Sequence, residues 1–324
     1  MVRVVLIGIA AGIAGALLFA SMATGTLLAF VLFYLAPLPL VIASLGWSHV
    51  AGLIAAVVAS GSLAATFNGW FFIGFLVGVG IPACWMTYLA LLARPAGAGS
   101  PEVLEWYPVG RLVIWSAILG TLIVAVAIPT FGTDAESFRA GLKDALDHLL
   151  RVEGDRTSDG ALLLPGFSDP TEQLDFLVAV IPPALAVVST ITALANLWLG
   201  AKIVKVSGRL KRPWPAVNAM KFPRFAPLLL AGGMAGSLLP DLAGIVAGFL
   251  ACTMLVAYAL LGFVVLHTTT SGINGRGLAL AGVYALVVMF GWPVLLMALI
   301  GLADSAIDIR GKVARRRGSP QAPT

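Results

Sequence analysis

Charge is what this 324-residue sequence has least of, with 11% of its residues Asp, Glu, Lys or Arg where soluble domains carry about 25%. That shortage excludes an ordinary soluble domain. Cysteine is nearly absent as well: Cys84 and Cys252 each sit in an apolar run, which excludes a disulfide framework and a CxxC redox or zinc motif. The three histidines, His49, His148 and His267, are scattered, and the sequence contains no HExxH, GxSxG or phosphate-loop pattern. Ser271–Gly277 (SGINGRG) is glycine-rich but lacks the lysine of a phosphate loop. No catalytic residue, metal ligand or cofactor site is therefore expected, and a lipid-modifying enzyme has no signature to support it.

What is present is apolar. Sixty per cent of the residues are hydrophobic and the mean hydropathy is +0.99, so the natural surroundings are a bilayer. A spanning helix needs roughly 20 apolar residues. Candidate spans run over Val4–Ala20, from after the turn Ser21–Gly25 to about Leu45, His49–Thr66, Trp70–Leu92, Leu112–Thr130 and from near Asp175 to Leu199 or Ala201. Three further apolar runs follow: Phe225–Leu239, short for a span, then Ile245–His267 and Leu278–Leu302. The N-terminal run is too long for a signal peptide and reads as an uncleaved first span.

Two hydrophilic stretches interrupt the pattern. Residues 131–174 carry nine acidic and four basic residues; Thr133 with Glu136 fits a capping box, and Phe138, Leu142, Ala145, Leu146 and Leu149 recur at helical spacing, giving an amphipathic helix over about Asp134–Arg151. Lys202–Arg224 carries seven Lys or Arg and no acid. Basic loops mark the cytoplasmic side, so 202–224 is expected inside and 131–174 outside. With the N-terminus inside, three spans after the basic loop leave the basic C-terminal tail outside. Treating Phe225–Leu239 as re-entrant gives eight spans with both termini cytoplasmic; nine spans is the alternative.

The expected fold class is all-α, a polytopic helical bundle of about eight spans with kinked or re-entrant segments. Its expected parts are a five-span bundle over 1–130, an exported acidic segment over 131–174, a C-terminal membrane bundle over 175–310 and a disordered basic tail over 311–324. Trp106, Tyr107 and Trp115 are expected interfacial anchors, beside Glu102 and Glu105 in the polar connection 94–111.

Several residues stand out against the apolar background, each with two readings. Ala10 and Ala14 lie four apart on the first span, a small-residue face that either packs within the chain or docks another membrane protein. Pro37 and Pro39, near Tyr34, break the second span and either kink it or frame a midplane cavity. Asn196, on one face with Ser189 and Thr192, either contacts a ligand or bonds between helices. Asp241, after Pro240, is either a functional carboxylate in an apolar stretch or a solvated helix start. Asp304 and Asp308, four apart with Arg310 beyond, either bind a cation or form local ion pairs. The basic segment 202–224 is a candidate surface for anionic lipid or a cytoplasmic partner, and no nucleic acid is implied.

Three marks carry a family resemblance: Ala36-Pro37-Leu38-Pro39-Leu40 followed by Gly46-Trp47, Arg212-Pro213-Trp214-Pro215, and the spacing Gly301, Asp304, Asp308, Arg310. Together they resemble the YybS-like family of predicted membrane proteins, domain of unknown function 2232. That family is similar in pattern to the substrate-binding S components of energy-coupling-factor transporters and to the rod-shape protein MreD. The resemblance implies an S-component-like bundle in the bacterial cytoplasmic (inner) membrane and a transporter-like protein binding a small molecule or lipid; Ala10 and Ala14 match the pair by which S components dock a coupling subunit. The alternative it implies is a non-catalytic scaffold in cell-envelope assembly.

Overall fold

Side-chain caps fix where several helices begin. Thr26 accepts a hydrogen bond from the Ala29 amide (3.2 Å), Ser48 from Val50 (3.2 Å) and Asn68 from Trp70 (3.0 Å), each satisfying a first-turn donor that has no intrahelical partner. The structure is a computed structural model that describes residues 1–96, 104–157, 164–167 and 169–316. Glu102, most of the turn-rich stretch 158–168 and the tail from Arg317 lie outside the described residues.

The helices in chain order are α1 (Val2–Ala20), α2 (Leu27–Tyr34), α3 (Pro37–Gly46), α4 (His49–Thr66), α5 (Gly69–Phe75), α6 (Ile81–Leu91), α7 (Val109–Ala127), α8 (Ala135–Thr157), α9 (Pro170–Val206), α10 (Ala226–Gly236), α11 (Asp241–Thr269), α12 (Arg276–Phe290), α13 (Pro293–Ile307) and α14 (Ile309–Arg316). A short antiparallel ribbon of β1 (Ala93–Pro95) and β2 (Leu104–Trp106) joins α6 to α7, with Arg94 Nε bonded to Glu105 at 2.8 Å. Seven helical stretches among the described residues are long and apolar enough to cross a membrane; α10, α12 and α13 are apolar but shorter. This is an all-α, multi-pass membrane protein. Its many exposed large apolar side chains, Leu6 and Leu17 on α1 or Val288 and Met289 on α12 among them, are the lipid-facing surface such helices require.

The chain forms two compact units, each made of separate segments. The first comprises Met1–Ser116, Thr190–Pro223 and Leu266–Thr268; the second comprises Ala117–Ser189, Arg224–Val265 and Thr269–Thr324.

In the first unit, α4 buries Ala51, Gly52, Ala55, Ala56, Ala59, Ser60 and Leu63, a stripe at three- and four-residue spacing. Helix α1 lies against that stripe through Gly8 and Gly12. A Cβ on Gly8 would stand 2.8 Å from the Ile54 side chain, and one on Gly12 would stand 2.6 Å from the Ala55 carbonyl oxygen. Only glycine allows this approach. The Ala10–Ala14 face points elsewhere: Ala10 is exposed and Ala14 half-buried. Between α5 and α6 one turn, Leu76–Gly80, widens into a π-helix, and the Ile81 amide reaches back to the Leu76 carbonyl. Pro82 removes the donor that a regular α-turn needs at this place, and the wider turn absorbs the mismatch.

In the second unit, α8 begins at a cap one residue later than the sequence pattern suggests. Asp134, not Thr133, accepts from the amides of Ser137 (2.9 Å) and Glu136 (3.0 Å), while the Asp134 amide donates to the Ser137 hydroxyl (3.2 Å). Phe138 and Leu142 then bury beside Ile128, Ala186 and Phe249, with Leu146 packed at the edge. Burying such side chains contributes about 1.5–3 kcal/mol each, which fixes the amphipathic helix onto α7, α9 and α11. Helices α10 and α11 form an antiparallel hairpin: a Cβ on Gly233 would stand 2.9 Å from the Ala251 amide nitrogen, and one on Gly236 would stand 2.8 Å from the Ala247 Cβ. Helix α13 runs antiparallel along α11 through reciprocal glycines, Gly262 against the Met297 carbonyl and Gly301 against the Tyr258 carbonyl. The apolar run 278–302 is not one helix, for Gly291 (φ 69°) and Pro293 divide it into α12 and α13. Residues 309–316, expected to lie largely in the tail, are helical.

Candidate functional site

Helix α9 contains adjacent prolines, Pro182 and Pro183, inside a continuous helix of 37 residues. Proline has no amide hydrogen, so the carbonyl oxygens of Val178 and Ala179 lose their intrahelical donors. All four residues line a cavity of about 980 Å³ in the second unit, at the upper end of the usual range for small-molecule sites.

Three walls build it. Helix α8 supplies Asp134, Glu136, Phe138, Arg139 and Lys143, α9 supplies Asp175 and the proline turn, and the α10–α11 corner supplies Leu239, Pro240, Asp241, Gly244, Ile245, Gly248 and Phe249. The corner is tight: Asp241 takes a left-handed conformation (φ 67°), one that Asp tolerates better than most residues. A Cβ on Gly244 would collide with the Leu239 carbonyl.

The charges are unevenly committed. Lys143 pairs with Asp175, tying α8 to α9. The Asp134 carboxyl is held below the usual carboxylate range by hydrogen bonds from Ser137 and Glu136. The side chains of Glu136, Arg139 and Asp241 make no ion pair among the described residues. The cleft thus has a charged rim, an apolar wall of Ile245, Phe249 and Val178, and the proline pair of α9 in its lining.

Of the residues taken from the sequence as candidate ligand or coupling residues, Asp241 alone lines this cleft. It is exposed, at the start of α11. Tyr34, Pro37, Pro39 and Asn196 come together in the first unit. Leu38 donates to Leu35 (2.9 Å) instead of continuing the α-helical pattern, which frees the Tyr34 carbonyl, and Asn196 Nδ2 donates to it at 2.8 Å. Asn196 also donates to the Thr192 carbonyl (2.9 Å) and is 3% exposed. Pro37 opens α3, so the second span is two helices meeting at Leu35–Ala36.

Asp304 and Asp308 separate despite their helical spacing. Asp304 is buried and accepts from the Arg310 backbone amide (3.0 Å), Nε (2.9 Å) and Nη2 (2.8 Å). Asp308 leaves the helix in a left-handed conformation (φ 49°), exposed, where its carboxylate accepts from the Gly311 amide (3.3 Å). The two carboxylates do not form a cation pair, and no cluster of three metal-ligating side chains occurs among the described residues. Ala10 and Ala14 line neither this cleft nor a second, smaller cavity in the first unit.

The cleft itself was not readable from the sequence, because its walls come from residues 134–143, 175–183 and 237–252. A local signal for it is Pro182-Pro183 inside an apolar run, a place where a spanning helix loses two amide donors.

No curated protein and no solved structure matches the chain. A family model does, described as a predicted membrane protein family and covering residues 13–305. The chain therefore belongs to the DUF2232 family of membrane proteins.

Proposed function

We propose that the cleft of the second unit binds an amphiphile, a small molecule or lipid-derived group with a hydrogen-bond-donating head and an apolar body, in a transporter-like role. The observation that carries this reading is the proline turn. The regular α-helical partners of the Val178 and Ala179 carbonyls would be the amides at 182 and 183, which the prolines lack, and these four residues line the cleft together with Glu136, Asp241, Ile245 and Phe249. A head bearing N–H or O–H groups satisfies the carbonyls, and its body replaces water on the apolar wall. Interrupted helices serve membrane binding sites in this manner.

The basic segment 202–224 supports a cytoplasmic position for that loop and the N-terminus, in a bacterial inner membrane, with the acidic α8 region and the cleft facing the exported side. The hairpin of α10 and α11 turns at Pro240–Asp241, beside α8. Because α13 runs antiparallel to α11, its C-terminal end points towards the α8 side. This course supports an exported tail rather than the cytoplasmic one expected from charge.

A thermal-shift screen on detergent-purified protein tests the binding reading. Amphiphiles with amine or hydroxyl heads are expected to raise the unfolding temperature, and Gly248→Phe, which places a ring on the cleft wall, is expected to weaken or remove that response. Only Ser237 Cβ, at 3.8 Å, comes near a Cβ added at Gly248, so the first carbon of the new side chain meets no clash. A response unchanged in Gly248→Phe would overturn the assignment.

A further inference from the structure

The first unit holds the second cavity, a slot of about 140 Å³ whose walls include Leu45, Leu112, Leu194, Trp198 and Trp214, with Arg212 at its edge. It is too small for a whole ligand, since small-molecule sites run from about 300 Å³ upward, but it suits a short length of one hydrocarbon chain.

What surrounds the slot is cationic. Arg212 is half-buried; its Nη1 donates to the Ala90 carbonyl (3.1 Å) in the last turn of α6, and it has no carboxylate at ion-pair distance among the described residues. A partly buried, unpaired cation is unfavourable unless an anion reaches it. Lys202 and Lys205 both lie over the Trp214 ring, at 5.5 and 4.8 Å, and Arg209 lies over Trp47 at 4.6 Å. These contacts hold the ammonium groups beside the slot without neutralising them. The adjoining surface of α9 is apolar and exposed at Trp198 (58%) and Val206 (79%).

We propose that this slot and its rim bind one anionic phospholipid: an acyl chain enters between Leu194, Trp198 and Trp214, and the phosphate is met by Arg212, Lys202 and Lys205. The seven cations and absent acids of 202–224 favour an anionic head, and the apolar lining of the slot favours a lipid over a soluble phosphate. This site does not rest on the cleft of the second unit.

Native mass spectrometry of the full chain, released from detergent with phosphatidylglycerol or phosphatidylcholine of identical chains, tests it. The expected result is retention of phosphatidylglycerol about fivefold above phosphatidylcholine per cationic contact, with no competition from inorganic phosphate. Arg212→Gln is expected to lower the preference about fivefold, the share of one cationic contact. Ala201→Phe, which fills the slot and leaves every charge, is expected to lose the bound lipid. If Arg212→Gln fails to fold, the exposed pair Lys202→Gln and Lys205→Gln reads the head contact, with Ala201→Phe reading the slot. Equal retention of the two lipids, displacement by inorganic phosphate, or an undiminished preference in Ala201→Phe would overturn the proposal, the last by pointing to diffuse attraction or a protein partner.

Discussion

The side-chain amide of Asn196 donates to the backbone carbonyl of Tyr34, 162 residues away, at 2.8 Å. The relationship follows from two prolines. Pro37 and Pro39 cannot donate, the Leu38 amide turns to Leu35, and the carbonyl left over at Tyr34 is met by a residue that is 3% exposed. Asn196→Leu is expected to destabilise the protein by about 1–3 kcal/mol, the range for stranding a buried polar group. In a Pro37→Ala background that loss is expected to shrink, because the restored helix gives the carbonyl a local donor. Reversible unfolding of the single and double variants measures the coupling, and strict additivity would count against the relationship.

The buried pair of Asp304 and Arg310 carries a second expectation. Asp304→Asn removes the buried carboxylate that accepts from Arg310 and is expected to cost about 3–5 kcal/mol, whereas Asp304→Leu with Arg310→Met is expected to recover most of that. Unfolding of both variants in one detergent distinguishes an ion pair that fixes the α13–α14 turn from a dispensable surface contact.

At the crossing of α11 and α13, Gly262→Ala and Gly301→Ala each push a methyl group into a backbone carbonyl, at Met297 and Tyr258. Backbone cannot swing aside as a side chain does, so a loss of about 1–3 kcal/mol or more is expected for each. Gly282→Ala, on a helix with no neighbour within 4 Å of the added carbon, serves as the control and is expected to be neutral or slightly stabilising.

Acid should loosen α8 through its cap. The folded pKa of Asp134 lies below its unfolded value, because Ser137 and Glu136 donate to the ionised carboxylate. Its contribution is therefore complete above the ordinary carboxylate value of about 3.9 and fades as pH falls through the lowered folded value. Melting temperatures of wild type and Asp134→Ala taken from pH ~5 downward are expected to converge in acid. A gap that stays constant would show that the cap does not act through its charge.

Much of the fold was legible because it depends on long apolar runs and on local stops: the break before Pro37, the amphipathic repeat of Phe138 and Leu142, and the first six spans. What was hidden depends on residues far apart or on a single backbone angle. Asp304 and Asp308 look like one helical face until φ at Asp308 turns positive. The run 278–302 looks like one span until Gly291 and Pro293 divide it. Gly8 and Gly12, rather than Ala10 and Ala14, make the close contact in α1, and spacing alone does not distinguish the two faces. The cleft needs three distant segments, and spacing along the chain does not show that they meet.

The side of the membrane on which the cleft opens is open to direct labelling. Glu136→Cys, on the exposed rim, is expected to react with an impermeant thiol reagent in intact cells, and Lys211→Cys is expected to react only after permeabilisation. The reverse pattern would invert the orientation, and with it the direction from which a ligand enters.

The cleft assignment is tested most directly by the thermal shift of wild type and Gly248→Phe measured side by side against amphiphiles with amine or hydroxyl heads. Binding at Pro182-Pro183 predicts that at least one such compound raises the unfolding temperature of the wild type more than that of the Gly248→Phe variant. Equal shifts in both proteins, or none in the wild type across the series, would contradict it.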